Sequence, residues 1–185
     1  MKIAFYLGSF NPFHNGHLKV IETAFTRDKV DTVVIVPTMQ SPWKNYKMLE
    51  FNNRINIIAL SIHPLLRDNP LYDIYIDHIE EELEFPYYSC KTLAALKDKY
   101  SNNGKNELFF LCGQDTMNNI PKWNNGDKIL KEWKFLVVER LEGSISSTEI
   151  RKLAKEGRDI SPYVSSKAKD KIENIIYNYL KYELC

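Results

Sequence analysis

The chain has 185 residues, 44% of them hydrophobic, with 25 Lys and Arg against 24 Asp and Glu. That is the composition of an ordinary globular domain, and at this length roughly 70% of the unfolded surface is buried on folding, so neither disulfides nor a structural metal is required. A net charge of +1 excludes the broad positive field that would hold a nucleic-acid backbone or an anionic membrane, so any anion binding must be local.

Cys90, Cys112 and Cys185 are an odd number at unrelated spacings, which fits a reducing, cytoplasmic setting better than a disulfide framework. The N-terminal apolar run stops at Gly8, too short for a signal segment or a membrane span. One domain over residues 1–185 is expected.

Ile3 to Leu7 reads as a strand buried on both faces, and Leu18, Ile21, Ala24 and Phe25 mark one face of a following helix. Thr32 to Val36 is β-branched and closes at Pro37, a second buried strand parallel to the first. Residues 38–50 lack periodicity and are expected to form a long loop. Ile55, Ile58, Ala59 and Ile62 then recur at helical spacing. Tyr72 to Ile76 alternates as a strand, Ser89 to Tyr100 reads as a helix, and Leu108 to Cys112 and Phe135 to Val138 read as further strands.

The remainder from about residue 146 is expected to be helical, ending in an amphipathic helix with Ile172, Ile175, Ile176, Tyr179 and Leu180 on one face. Strands separated by helices predict an α/β fold: a Rossmann-like open parallel sheet with helices on both faces, binding ligands beyond the carboxyl ends of its strands.

Two segments carry chemistry. Gly8-Ser9-Phe10-Asn11-Pro12-Phe13-His14-Asn15-Gly16-His17 runs from the first strand into a helix start, where free N–H groups and the helix dipole favour anions. Gly8 and Gly16 would let backbone approach a phosphate, and His14 and His17, three apart, can point at one ligand as donors. Taken singly, either histidine reads equally well as a capping or solvated group. Neither GxGxxG nor a Walker lysine pattern is present.

The second segment is Ile145-Ser146-Ser147-Thr148-Glu149-Ile150-Arg151. Ser146 or Ser147 is a sound N-cap, and Glu149 completes a capping box with Ser146. Arg151, one turn later, is placed to add bidentate contacts to a phosphate.

Together the two segments resemble the HxGH and ISSTxxR signatures of the nucleotidyltransferase superfamily. Within it, the whole chain resembles the bacterial nicotinate mononucleotide adenylyltransferases, enzymes of NAD synthesis. Ser41-Pro42-Trp43-Lys44 is similar to the family's proline loop, which implies Lys44 beside the triphosphate. Tyr88-Ser89 with Thr92 resembles its Tyr-Thr segment near the nicotinate carboxylate. Gly113-Gln114-Asp115 and Pro121-Lys122-Trp123 resemble its Gly-Ala-Asp and Leu-Pro-x-Trp patterns, implying Trp123 as the pyridine platform. The chain departs from the family at Asn11, Gln114, Asn124 and Asn125, positions that bear on the choice between acid and amide mononucleotide.

The resemblance implies adenylyl transfer from ATP to nicotinate mononucleotide. Ser9, Phe10, His14 and His17 would attend the α-phosphate, Ser146, Ser147, Thr148 and Arg151 the outer phosphates, and Asp115 a ribose. Asn11, Lys44 and Gly113 would join the mononucleotide site. Magnesium would bridge the phosphates without a dedicated protein cage. The alternatives are nicotinamide mononucleotide, phosphopantetheine, a sugar or glycerol phosphate as acceptor, or a nucleotide-sensing module without turnover. No nucleic-acid or membrane partner is expected.

The remaining candidates have simpler readings. His63 and His78 are structural or solvated groups near element ends, and Glu80-Glu81-Glu82 is a solvated acidic face. Trp133 is a core residue, and Tyr177, Tyr179 and Tyr182 serve packing or an interface between copies of the chain.

Overall fold

Five short β-branched and aromatic runs form one sheet in the computed structural model, which describes residues 1–40, 48–139 and 145–183, with side chains to residue 177. Lys44 and Trp43, the side chains of Tyr179, Leu180 and Tyr182, and Cys185 lie outside the described residues. The strands are β1 (Lys2–Gly8), β2 (Thr32–Pro37), β3 (Asp73–Ile76), β4 (Glu107–Gly113) and β5 (Lys134–Val138). All pairs are parallel in the order β3-β2-β1-β4-β5, with Ile3 of β1 opposite Thr32 of β2 and Leu108 of β4.

Around the sheet lie α1 (Asn15–Thr26), α2 (Phe51–Asp68), α3 (Ser89–Tyr100), α4 (Gln114–Asn119), α5 (Gly126–Glu132), α6 (Ser147–Lys155) and α7 (Ser166–Glu183). Because side chains alternate across a strand, β1 serves two cores. Ala4 and Tyr6, with Val33 and Ile35 of β2, pack on Ile21 of α1, Ile57 of α2 and Ile172 of α7. Ile3 and Phe5, with Val34 and Val36, pack on Leu93 and Leu96 of α3 and on Trp133. Burial on both faces is why these strands read as continuous apolar runs, each large side chain contributing about 1.5–3 kcal/mol. Cys112 sits in the second core as a small hydrophobe, its thiol pushed up to about 11 by burial. Among the described residues, no helix is long and apolar enough to cross a membrane.

The expected helix over Ser89–Tyr100 is found with those bounds. The α2 helix is found too, but its buried face runs through Arg54, Ile57, Ile58, Ser61, Ile62 and Leu65, whereas Ala59 is exposed. A charged residue thus occupies a core position that an apolar pattern passes over. Exposed His63 lies inside α2 rather than at its end. The helices α4 and α5 were not expected; at 6 and 7 residues, they are too short to show a 3.6-residue period.

The acidic run is the main correction. It forms a 3₁₀ turn over Ile79–Glu82, and Glu80 is only 3% exposed, accepting hydrogen bonds from Thr38, Met39 and Thr92.

Strand order reverses between β1 and β4, and the connections leaving them diverge to open a crevice at the carboxyl edge. One side of it is framed by the 3₁₀ turn Ile120–Lys122 against α5, where Gly126 is indispensable: a Cβ there would lie 1.9 Å from the Ile120 carbonyl oxygen. Gly126→Ala is therefore expected to force backbone apart at a cost of about 2–4 kcal/mol. Thermal unfolding should show a Tm lower by roughly 5–15 °C, whereas Gly104→Ala, in open space though at positive φ, should cost less.

Candidate active site

After β1 the chain enters α1 through His14, the N-cap residue, in an extended conformation. The Nδ1 of His14 accepts the Gly16 N–H at 3.1 Å, and the Nδ1 of His17 accepts the His14 N–H at 3.1 Å. Two imidazoles thus form a capping box normally built from a hydroxyl and a carboxamide or carboxylate. With each Nδ1 acting as acceptor, the proton of each neutral ring sits on Nε2, so both rings are N–H donors through that atom. The ring centroids are 3.7 Å apart, and His17 is walled by Phe10 and Phe13 at 5.1 and 5.0 Å.

Gly8 and Gly16 border the first cavity and also have a steric role. A Cβ on Gly16 would lie 2.9 Å from His14 Cε1, and one on Gly8 would lie 2.9 Å from the Phe10 ring. Both glycines make room for aromatic rings that shape the site. Phe10 itself adopts φ 44°, a left-handed conformation that costs a bulky residue about 1–3 kcal/mol and is held here by ring packing.

The second segment forms the start of α6. Ser146 is its N-cap: its Oγ accepts the Glu149 N–H, and the Glu149 carboxylate accepts the Ser146 N–H at 2.8 Å, as the capping-box pattern predicts. The Ser147 hydroxyl donates to the Pro12 carbonyl at 3.0 Å, and the Arg151 guanidinium donates to the Asn11 carbonyl and to Thr148 Oγ1. Two segments about 135–140 residues apart are thereby bonded into one wall.

That wall lines a cavity of about 470 Å³ at the ends of β1 and β4. Gly8, Ser9, Phe10, His14, Gly16, His17, Ser146, Ser147, Thr148 and Arg151 all border it, so the described residues expected to attend ATP share one space, Lys44 lying outside the described residues. Asn11 borders the same space. Its Oδ1 accepts the Leu49 N–H at 3.0 Å, while its buried Nδ2 finds no acceptor among the described residues.

A second cavity of about 580 Å³ lies alongside, bordered by Tyr88 and Ser89 at the start of α3, by Trp123, and by Thr38 and Glu80. The two spaces share Gly8, Ser9, Asp115 and Thr116 as a common wall. Three residues assigned to the mononucleotide are placed otherwise. Asn11 and Gly113 border the first cavity, and Thr92 borders neither, being fully buried with its hydroxyl donated to Glu80. Lys122 and Asn119 border the second cavity without having been expected there, and Asn124, read as bearing on the choice of mononucleotide, borders it too.

Behind both cavities lies the pair the sequence did not disclose. Arg54 is 1% exposed and donates to three carbonyls: Leu49 through Nε at 3.0 Å, Ser9 through Nη1 at 2.8 Å and Met39 through Nη2 at 3.0 Å. Burial pushes its guanidinium down to about 10, against the opposing pull of the Glu80 charge. Burial likewise raises the Glu80 carboxyl, offset by its three hydrogen bonds and by Arg54. A charged residue at the helical spacing of a buried face was the one available signal for Arg54; Glu80 had none.

The cytidylyltransferase-like family model matches residues 5–153. The chain is 29% identical to a protein of Fusobacterium nucleatum, covering 94% of this chain and 97% of that one. It is 28% identical to the nicotinate-nucleotide adenylyltransferase of Bacillus subtilis, covering 93% and 95%. The structure is similar in fold to the Plasmodium falciparum nicotinic acid mononucleotide adenylyltransferase complexed with NaAD, with a TM-score of 0.74, 21% identity and coverage of 100% and 99%.

The packing of Gly16 on His14 predicts a measurable defect. Gly16→Ala should displace the His14 ring and weaken pyrophosphate binding by about tenfold in titration calorimetry, with a Tm change of a few degrees at most.

Proposed function

Because the chain belongs to the cytidylyltransferase-like family, we propose that its two adjoining cavities bind ATP and nicotinate mononucleotide and that it joins them into deamido-NAD with release of pyrophosphate. The observation carrying this reading is the shared wall at Gly8, Ser9 and Asp115, which lets two anionic substrates meet end to end.

The first cavity suits a triphosphate. It offers the Nε2–H groups of His14 and His17, the guanidinium of Arg151, hydroxyls at the start of α6, and the Nδ2 of Asn11, a buried donor that a phosphate oxygen would satisfy. The second suits a pyridine nucleotide. Trp123 supplies a ring face, and the N-terminus of α3, which no side chain caps, favours a carboxylate by about 0.3–2 kcal/mol. Lys122 on the same wall adds a positive charge that favours the acid over the amide. Of the two carboxylates on that wall, Asp115 and Glu80, the latter is tied up by Thr38, Met39 and Thr92 and faces the Arg54 charge. Asp115, on the common wall, would meet ribose hydroxyls, and Lys44 is assigned to the phosphates by the resemblance of its loop to that of the family.

A phosphate oxygen of the mononucleotide attacks the α-phosphorus of ATP, the bond to the bridging oxygen breaks, and the electron pair leaves with pyrophosphate. No protein nucleophile is needed, so the chain's work is alignment and stabilisation of charge on the transferring group. His14 and His17 donate to that charge from a fixed position, because the capping box and the Phe10–Phe13 wall immobilise their rings. Magnesium bound to the triphosphate would supply positive charge for the pyrophosphate that leaves. Asp115 and Glu139 are carboxylates on the first cavity's wall that could reach it through water. The free Cys90 and the buried Cys112 fit a reducing cytoplasm.

The test is product formation followed by mass detection, with ATP, magnesium and either mononucleotide. Deamido-NAD should form at least about tenfold faster than NAD, given the charge arrangement around the second cavity. His17→Ala should lower kcat by about 100-fold, and Trp123→Ala should raise the mononucleotide KM by about 3- to 10-fold with the ATP KM unchanged. Absence of either dinucleotide, with ATP still bound, would refute the acceptor assignment.

A further inference from the structure

Arg54 bonds only to backbone carbonyls, whereas Glu80, on the edge of the second cavity, takes one backbone N–H and two hydroxyls. Arg54 binds the carbonyls of Ser9, Met39 and Leu49, which come from the chain leaving β1, the chain leaving β2 and the chain entering α2. Glu80 takes the other half of the second point, accepting the Met39 N–H at 2.7 Å and the Thr38 hydroxyl at 2.6 Å, with Thr92 anchoring it from α3. Met39 is thus gripped by both its carbonyl and its amide.

The consequence at Ser9 is directional. In a trans peptide, the carbonyl and the next residue's N–H point opposite ways. With the Ser9 carbonyl drawn inward to Arg54, the Phe10 N–H is turned away from Arg54, out of the core, at a point where Ser9 and Phe10 border the first cavity. Arg151 and Ser147 pin the carbonyls of Asn11 and Pro12, two and three residues further on, from the opposite flank. The segment is therefore fixed from two sides, and Ser9 borders both cavities while Thr38 borders the second.

We propose that Arg54 and Glu80 are positioning residues for the transfer: they aim the Phe10 N–H at the transferring phosphoryl group and fix the spacing between the wall at Ser9 and the wall at Thr38. This rests on the adenylyl-transfer reading above. Arg54 acts through the backbone it holds, and both Glu80 oxygens are taken up by Thr38, Met39 and Thr92, so the role of each is positioning. Arginine is required by geometry: three carbonyls in different directions match the planar fork of a guanidinium, and a lysine ammonium on a flexible stem does not reproduce it. Glu80 is required as an acceptor, so a glutamine, whose Oε1 can still take the Met39 N–H, should serve largely in its place.

The experiment is steady-state kinetics of the full chain with magnesium, ATP and nicotinate mononucleotide, at a temperature well below the measured Tm of each variant. Arg54→Lys and Glu80→Ala should lower kcat by about 10- to 100-fold while both KM values stay within about threefold, since misplacement by an ångström costs that much in rate and little in binding. Glu80→Gln should recover kcat to within about fivefold of wild type, and Thr92→Val should lose about threefold.

Wild-type kcat in Arg54→Lys and Glu80→Ala would overturn the proposal, as would a loss carried by KM, or a Glu80→Gln variant as impaired as Glu80→Ala. If Arg54→Lys does not fold, the two Glu80 variants and Thr92→Val decide the matter by the same criteria. A wild-type chain that makes no deamido-NAD would overturn the functional reading and this proposal together, whereas an active wild type with unimpaired variants would overturn the proposal alone.

Discussion

A guanidinium with almost no solvent exposure is costly to bury, by several kcal/mol unless its donors are satisfied. In this protein the donors of Arg54 are satisfied by carbonyls of Ser9, Met39 and Leu49, and those carbonyls converge only because the ends of β1 and β2 and the start of α2 converge. The dependence is mutual. Without the fold the charge has no partners, and without the charge the Ser9, Met39 and Leu49 carbonyls lose the one group that ties them together. Glu80 completes the arrangement by meeting Met39 from its other side. The net contribution of such a pair to stability is small or even unfavourable, so its value lies in the single loop geometry it enforces.

That geometry lies where a parallel sheet concentrates polar backbone. All five strands end on the same edge, and the reversal of order between β1 and β4 separates the loops there instead of packing them together. The result is two cavities with one common wall. A single cavity would bind one nucleotide; two that meet at Gly8, Ser9 and Asp115 can hold two substrates with their phosphates in line. For a reaction that needs no protein nucleophile, this alignment is the main requirement.

Helix starts supply the polarity, and the capping groups are also the site groups. The α1 helix is capped by the two imidazoles that face the first cavity, and α6 by the Ser146–Glu149 box beside the hydroxyls that face it from across. The start of α3, bordering the second cavity, has no side-chain cap. Where a triphosphate is expected, donors are built from side chains; where a carboxylate is expected, backbone N–H groups are left to meet it. The same place carries backbone strain, with Phe10 in a left-handed conformation between the two flanks that hold it.

Much of this was legible in the amino-acid order. The doubly buried strands show as unbroken apolar runs, Ser89–Tyr100 shows its helical period, and Ser146 and Glu149 show their capping relation, because each of these is a local relation between residues a few positions apart. The two signature segments were legible as well, His14 and His17 by spacing and Arg151 by its place one turn into a helix. What local order does not contain is who stands opposite. The bond from Ser147 to Pro12, the hold of Arg54 on Ser9 and Met39 and that of Glu80 on Thr38 link residues from 15 to 135 positions apart. The burial of a charge is set by neighbours that arrive from other strands. Likewise, Gly8 and Gly16 could be recognised as small, but only the folded chain shows that the space they leave is filled by the rings of Phe10 and His14. Sequence determined which elements form and which chemistry they carry; tertiary structure alone decided which buried charges aim them, because desolvation and hydrogen-bond pairing depend on three-dimensional neighbours that no local pattern specifies.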